Sequence, residues 1–160
     1  FPHIGAMIEV PSSIFQIDEI CQLVDFISIG TNDLTQYLLA VDRNNESVAE
    51  LFSSLHPSVL RALEMIIKGA GRQNTPVSVC GELAGDPMGV MALMGMGIES
   101  LSMSAGSLPR AKKVIRSFSL SELSEYVAIA KNMTDAQDVK SFYIEKLDDR
   151  GLGGLIRAGK

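Results

Sequence analysis

Tryptophan is absent, and the 160 residues include only two cysteines, two histidines and three tyrosines. Two cysteines, Cys21 and Cys80, cannot build a disulfide framework, and their scarcity fits a reducing compartment. No apolar run approaches the ~20 residues that cross a bilayer, which argues against a membrane partner. A basic excess is missing too: 14 Lys and Arg stand against 19 Asp and Glu, for a formal net charge of −5. Nucleic acid is thereby excluded as the main partner, because no stripe of cations can neutralise its phosphates. Lys112, Lys113 and Arg116 form the one basic cluster; at helical spacing it reads as a solvated helix face. The start, Phe1-Pro2-His3, has neither the basic region nor the cleavage site of a secretory signal. It also lacks an initiating Met. The chain therefore reads as a piece of a longer, cytoplasmic protein.

What is present suffices for one domain: 46% of residues are hydrophobic and 21% charged, and the length allows a real core. The chain is organised around Ile27–Arg43, ISIGTNDLTQYLLAVDR. Asp25–Ile29 has the β-branched and aromatic content of a buried strand. It breaks at Gly30 into Thr31, Asn32 and Asp33, three short polar residues at a strand's C-terminal end. Ligands bind at that end in α/β folds, where loops converge over rigid strands. A carboxylate beside a carboxamide suits Mg2+ and the anionic oxygens it bridges. Arg43 adds a positive fork for a phosphate or carboxylate. The competing reading is a strand followed by a helix capped by Asp33.

Ile4–Val10 reads as another strand, with Glu9 near its C-terminal end, where a carboxylate is costly unless it is paired or bound to a cation. Ser12 or Ser13 then caps a helix with Ile14, Ile17, Ile20, Cys21 and Val24 on one side. Strand, helix and strand make a βαβ unit, which implies parallel strands. Glu9 and Asp33 then share one end of adjacent strands, within reach of one ion. Thr35–Leu51 is expected to form a short helix and a loop that returns Arg43 over the strand ends. The next helix starts at His56-Pro57-Ser58, with Val59, Leu60, Leu63, Ile66, Ile67 and Ala70 inward, and stops near Gly69–Gly71. His56, before a proline at a helix start, reads as structural. Pro76–Cys80 is the third strand; Cys80 is its tip, and Gly81 lets backbone approach a ligand.

Asp86-Pro87 caps a helix over Met88–Met94, whose Met88, Met91 and Met94 read as core. Ile98–Ser104 is the fourth strand, and Ser107-Leu108-Pro109 opens the helix after it. Amphipathic helices over Ser121–Lys131 and Ala136–Leu147 close the chain, and Arg150–Lys160 reads as a mobile tail. Four strands alternating with helices, with polar chemistry at one end, indicate an α/β fold of the (β/α)8 TIM-barrel family. The chain is about the second half of such a barrel, since a whole one needs ~250 residues. Residues 1–118 form the barrel half, and 119–160 the C-terminal helices and tail of the same domain.

The motifs MIEVPS (Met7–Ser12), SIGTNDLTQYLLAVDRNN (Ser28–Asn45), HPSVLR (His56–Arg61), CGELAGD (Cys80–Asp86) and SMSAGSLPR (Ser102–Arg110) resemble the C-terminal part of enzyme I. That family comprises the phosphoenolpyruvate-protein phosphotransferases of the bacterial phosphotransferase system. The resemblance covers nearly the whole chain, fading after about Ser117, and the SSIFQIDEI helix leans toward the nitrogen-related paralogue over the sugar-transport branch. It implies phosphoenolpyruvate and Mg2+ at a barrel mouth, with Glu9 and Asp33 as metal ligands and Asn32 and Asp33 among the substrate-binding residues. Asn32 would contact the phosphate, and Arg43 would neutralise the moving phosphoryl group. Cys80 would be the acid that protonates the enolate carbon as pyruvate forms. The family's phosphorylated histidine and its small histidine-containing phosphocarrier partner belong to an N-terminal region that this chain lacks, since neither His3 nor His56 lies in that motif. Two further substrate-binding arginines belong to the missing barrel half, so the fragment alone is expected to be inactive.

Three rival readings remain. One is an enzyme of the pyruvate phosphate dikinase or phosphoenolpyruvate synthase type, which shares GTNDLTQ. Another is a metal-dependent lyase or aldolase using Glu9 and Asp33, and the third a non-catalytic dimerisation module. A half barrel exposes two sheet edges and an apolar inner face, so the isolated chain is expected to form a homodimer. Light scattering on a sizing column should report a particle of twice the chain mass; a stable monomer at high concentration would count against the half-barrel reading.

Overall fold

The computed structural model describes residues 1–157. Four strands, β1 (Gly5–Ile8), β2 (Phe26–Gly30), β3 (Val77–Cys80) and β4 (Ser100–Leu101), form one sheet in sequential order. Every neighbouring pair is parallel. Helical connections join consecutive strands, which antiparallel hairpins would not require. Helices α1 (Pro11–Ile14) and α2 (Ile17–Cys21) link β1 to β2, while α3 (Thr31–Leu39) and α4 (Pro57–Arg72) link β2 to β3. Helices α5 (Glu82–Gly85) and α6 (Pro87–Gly95) lead to β4. After it come α7 (Leu108–Ile115), α8 (Leu120–Ala130), α9 (Ala136–Asp149) and the short α10 (Gly154–Arg157). The architecture is α/β and is consistent with a partial barrel. None of the described helices is long and apolar enough to cross a membrane.

The sheet has one helix-covered face and one open face, and the strand period of two decides which residue goes where. Ile8, Ile27, Ile29 and Val79 are buried on the covered face. Against them α4 lays Val59, Leu60, Leu63 and Ile66, all fully buried, each stabilising the fold by about 2 kcal/mol. On the open face the register ranks Met7, Ser28, Ser78 and Ser100 side by side. That face was expected to be apolar. Met7 and Phe26 are indeed exposed there, but the serines make most of the rank polar.

Several boundaries differ from the sequence reading. The first helix is broken in two, with Phe15 and Gln16 between the halves. Helix α3 starts at Thr31, directly after β2. Helix α4 runs through Gly69 and Gly71 to Arg72; a Cβ on Gly69 would collide with Ile17, so that glycine permits close packing of α4 on α2. Strand β4 is two residues long. Helix α8 starts at Leu120, because Ser119 and Glu122 form a capping box that satisfies two orphan N–H groups. The expected tail is packed as far as it is described: Leu152 is buried, and Leu155 and Ile156 lie against the core. Residues 158–160 of that segment lie outside the described residues.

Other expectations are met. Cys21 is core, and His56 is the N-cap of α4, its Nδ1 accepting from the Ser58 backbone at 3.2 Å. Asp86 caps α6, accepting from the Met88 and Gly89 N–H groups. Helix α6 is buried on all sides, as a helix without a polar face must be, between α5, α7, α8 and α9.

One ion-pair group ties α4 to the end of α8. Lys131 Nζ lies 2.7 Å from Glu64 Oε1, and Arg61 Nε donates to the Lys131 carbonyl at 2.7 Å. The Lys131 bond, ahead of the Lys68 one, holds the Glu64 carboxyl below its ordinary value of 4.5. A depressed carboxyl stabilises the fold above its unfolded value and loses that contribution as pH falls through the folded value. Glu64→Gln should therefore cost up to about 1 kcal/mol at neutral pH. In urea titrations the gap between variant and wild type should close below pH 4.5; a pH-independent gap would refute the assignment.

Candidate functional site

The C-terminal ends of β1, β2 and β3 bring Glu9, Asn32, Asp33 and Cys80 into one region, because the register is set without a slip. Ile8 stands opposite Ile29, and Gly30 opposite Cys80. Glu9 follows β1 directly, and its Oε2 lies 2.9 Å from where a Cβ on Gly30 would stand. The carboxylate thus lies over the end of β2. Asn32 and Asp33 lie in the first turn of α3, whose N-cap is Gly30 with no side-chain cap. Neither Glu9 nor Asp33 makes a side-chain hydrogen bond or ion pair among the described residues. Glu9 is therefore not the salt-bridged strand end, nor Asp33 the helix cap, of the rival readings.

Cys80 is half-buried at the tip of β3. Its thiol donates to the Ile29 carbonyl at 3.5 Å and accepts from the Ser28 hydroxyl at 3.7 Å. Met7 Sδ, at 3.9 Å, is a second acceptor within reach of the same thiol. Gly81 follows at φ +101°, where a Cβ would also stand 2.5 Å from Thr31 Oγ1 and 3.2 Å from Asn32 Oδ1. Only glycine serves there. The Thr31 hydroxyl donates to the Cys80 carbonyl at 2.8 Å, and the Glu82 N–H donates to Asn32 Oδ1 at 3.3 Å. Arg43 reaches the same cluster from the loop after α3, with Nη1 3.8 Å from Glu82 Oε1. Glu82 is largely solvated and Arg43 partly so, so the pair adds little stability and leaves Arg43 free to exchange partners.

The sequence reading overlooked Ser28 and Glu82, and it gave Thr31 no role of its own beside Asn32 and Asp33. Ser28 was detectable as the one polar residue inside FISIG, and Thr31 and Glu82 flank residues already chosen. For metal binding, no three His, Cys, Asp or Glu side chains gather among the described residues. Glu9 and Asp33 are uncommitted carboxylates, and Mg2+ takes one or two such ligands and completes its shell with water and substrate oxygens.

A family model, "PEP-utilising enzyme, PEP-binding domain", matches residues 2–120. The chain belongs to this family. Among relatives, the "Phosphoenolpyruvate-dependent phosphotransferase system" protein of Escherichia coli (strain K12) is 46% identical over 158 residues, 99% of this chain and 21% of that protein. A "Phosphoenolpyruvate-protein phosphotransferase" of Priestia megaterium is 40% identical over 140 residues, 88% of this chain and 24% of its own length. The protein of that name from Haemophilus influenzae is 40% identical over 150 residues, 94% of this chain and 26% of its own length. The chain thus spans about a quarter or less of the length of these curated relatives.

Thr31 is fully buried, and its hydroxyl clamps the tip of β3 to the start of α3. Thr31→Val keeps the shape and removes the bond, at a cost of about 1–2 kcal/mol. Urea denaturation should show that loss, and Cys80 should react faster with a thiol reagent in the folded state. An unchanged reaction rate would mean that the clamp does not set the Cys80 environment.

Proposed function

We propose that this chain is the phosphoenolpyruvate-binding part of a phosphoenolpyruvate-protein phosphotransferase. The observation that carries the reading is the gathering of Glu9, Asn32, Cys80 and Arg43 at one end of a parallel sheet, in a chain of the PEP-binding family. Glu9 and Asp33 would hold Mg2+, which supplies charge neutralisation at the phosphate and carboxylate oxygens. Asn32 and Asp33 bind substrate, with the Asn32 amide directed at the phosphate. Arg43 leaves Glu82 and neutralises the phosphoryl group as it departs; phosphoryl transfer draws on such positioning and charge more than on covalent help.

The bond between phosphorus and the enol oxygen breaks, and the phosphoryl group passes to a histidine of an N-terminal region. The Cys80 thiol gives its proton to the methylene carbon, pyruvate forms, and water returns the proton to the thiolate. Ser28 and the Ile29 carbonyl fix the sulfur during that step. In this reading residues 1–118 are half of a TIM barrel, and 119–160 are helices of the same domain. The whole protein works in the cytoplasm as a homodimer and passes its phosphoryl group to a small histidine-containing phosphocarrier protein. Helices α8 and α9, packed on α6, support a single domain.

Calorimetric titration of phosphoenolpyruvate, with and without Mg2+, tests this reading. Weak Mg2+-dependent binding is expected, reduced at least about tenfold in Asp33→Ala. Binding that ignores both Mg2+ and Asp33→Ala would overturn the assignment of Glu9 and Asp33.

A further inference from the structure

A cavity of about 860 Å3 has Asn32 and Cys80 in its lining and extends to Arg110 and Lys140. Sites of that size hold drug-sized ligands, well beyond a three-carbon phosphate ester. The far end has a chemistry of its own. Arg110 comes from α7 and Lys140 from α9, while Ser102, Ser104 and Ser107 line the wall between β4 and α7. We propose that this far end is a second anion subsite, which takes a small dianion (a phosphate or a dicarboxylate) on Arg110, Lys140 and the three hydroxyls.

The two cations are unspent. Neither makes an ion pair or a side-chain hydrogen bond among the described residues. The carboxylate on which both act is Asp86, and its Oδ1 is already engaged by the Met88 and Gly89 N–H groups at 2.9 and 3.0 Å. The lining's other carboxylate, Glu82, faces Arg43, so two cations against Asp86 leave this part of the pocket positive. Bringing two like charges to one cavity is unfavourable until an anion arrives between them. The hydroxyls suit such a guest: Ser104 Oγ and Ser107 Oγ are 3.1 Å apart, and either can turn its proton toward an oxyanion. Leu155 and Ile156 add apolar surface to the lining. Three separate parts of the chain thus converge on one polar, solvent-open pocket end, and it stands independently of the phosphoenolpyruvate reading.

The test is calorimetric titration of the full chain with inorganic phosphate and, separately, with malonate. Wild type should bind at least one probe, and the stronger one identifies the guest as phosphate-like or dicarboxylate-like. Lys140→Met should weaken binding about tenfold, as should Arg110→Met, with urea titrations reporting whether each variant is folded. Lys140 lies on an exposed helix face, so its variant decides the matter even if Arg110→Met fails to fold. Lys112→Met, in the separate basic cluster of α7, should change nothing. Three results would each overturn the proposal: no heat with either probe at tens of millimolar, equal affinity in Lys140→Met and wild type, or equal weakening in Lys112→Met. Loss in Arg43→Met but not in Lys140→Met would place the anion at Asn32 and overturn it as well.

Discussion

The parallel hydrogen-bond ladder is the constraint on which the rest of this molecule depends. Because β1, β2 and β3 run the same way and pair without a bulge, residues far apart in sequence end at one level. A slip of one residue would reverse every side chain in a strand. Cys80 would turn into the helices, and Val79 would leave the core. The buried face holds the register: Ile8, Ile27, Ile29 and Val79 fit only one alignment against α4. The geometry of the site is thus secured on the opposite side of the sheet from the chemistry.

Around that frame, the polar contacts of the site are short-range and economical. Thr31, Asn32, Gly81 and Glu82 lock two adjacent strand tips through one hydroxyl and one amide. Glu9, Asp33 and Arg43 remain free or weakly held. A site whose scaffold is fixed while its charged groups are uncommitted is suited to binding an anion with a metal ion, since ligand contacts need not replace strong internal ones.

Much of this was legible in the sequence. The β-branched runs, Asp86-Pro87 and the apolar period of Val59 through Ala70 gave strands, cap and core without tertiary information. Glu9 and Cys80 stood out because each is a reactive residue placed where a strand ends. What escaped had tertiary causes. Nothing local distinguishes Gly69 as a contact from Gly69 as a helix stop; only Ile17, 52 positions earlier, decides it. Polar character on the open face was hidden because Ser28, Ser78 and Ser100 are unremarkable singly and form a rank only once the strands pair. Residues Leu152, Leu155 and Ile156 looked like a basic, glycine-rich end, yet they found apolar surface.

Helix α6 carries a last consequence. Its first residue follows Asp86, the end of the CGELAGD loop, and its body has no face that water can tolerate. Exposing it would forfeit burial on every side, so thermal fluctuations that open the periphery have no inexpensive route to this segment. The segment from the tip of β3 through α5 is therefore anchored to a helix buried on every side. Displacing that segment would mean disturbing α6, so the backbone around Cys80 draws its stiffness from packing on the far side of Asp86.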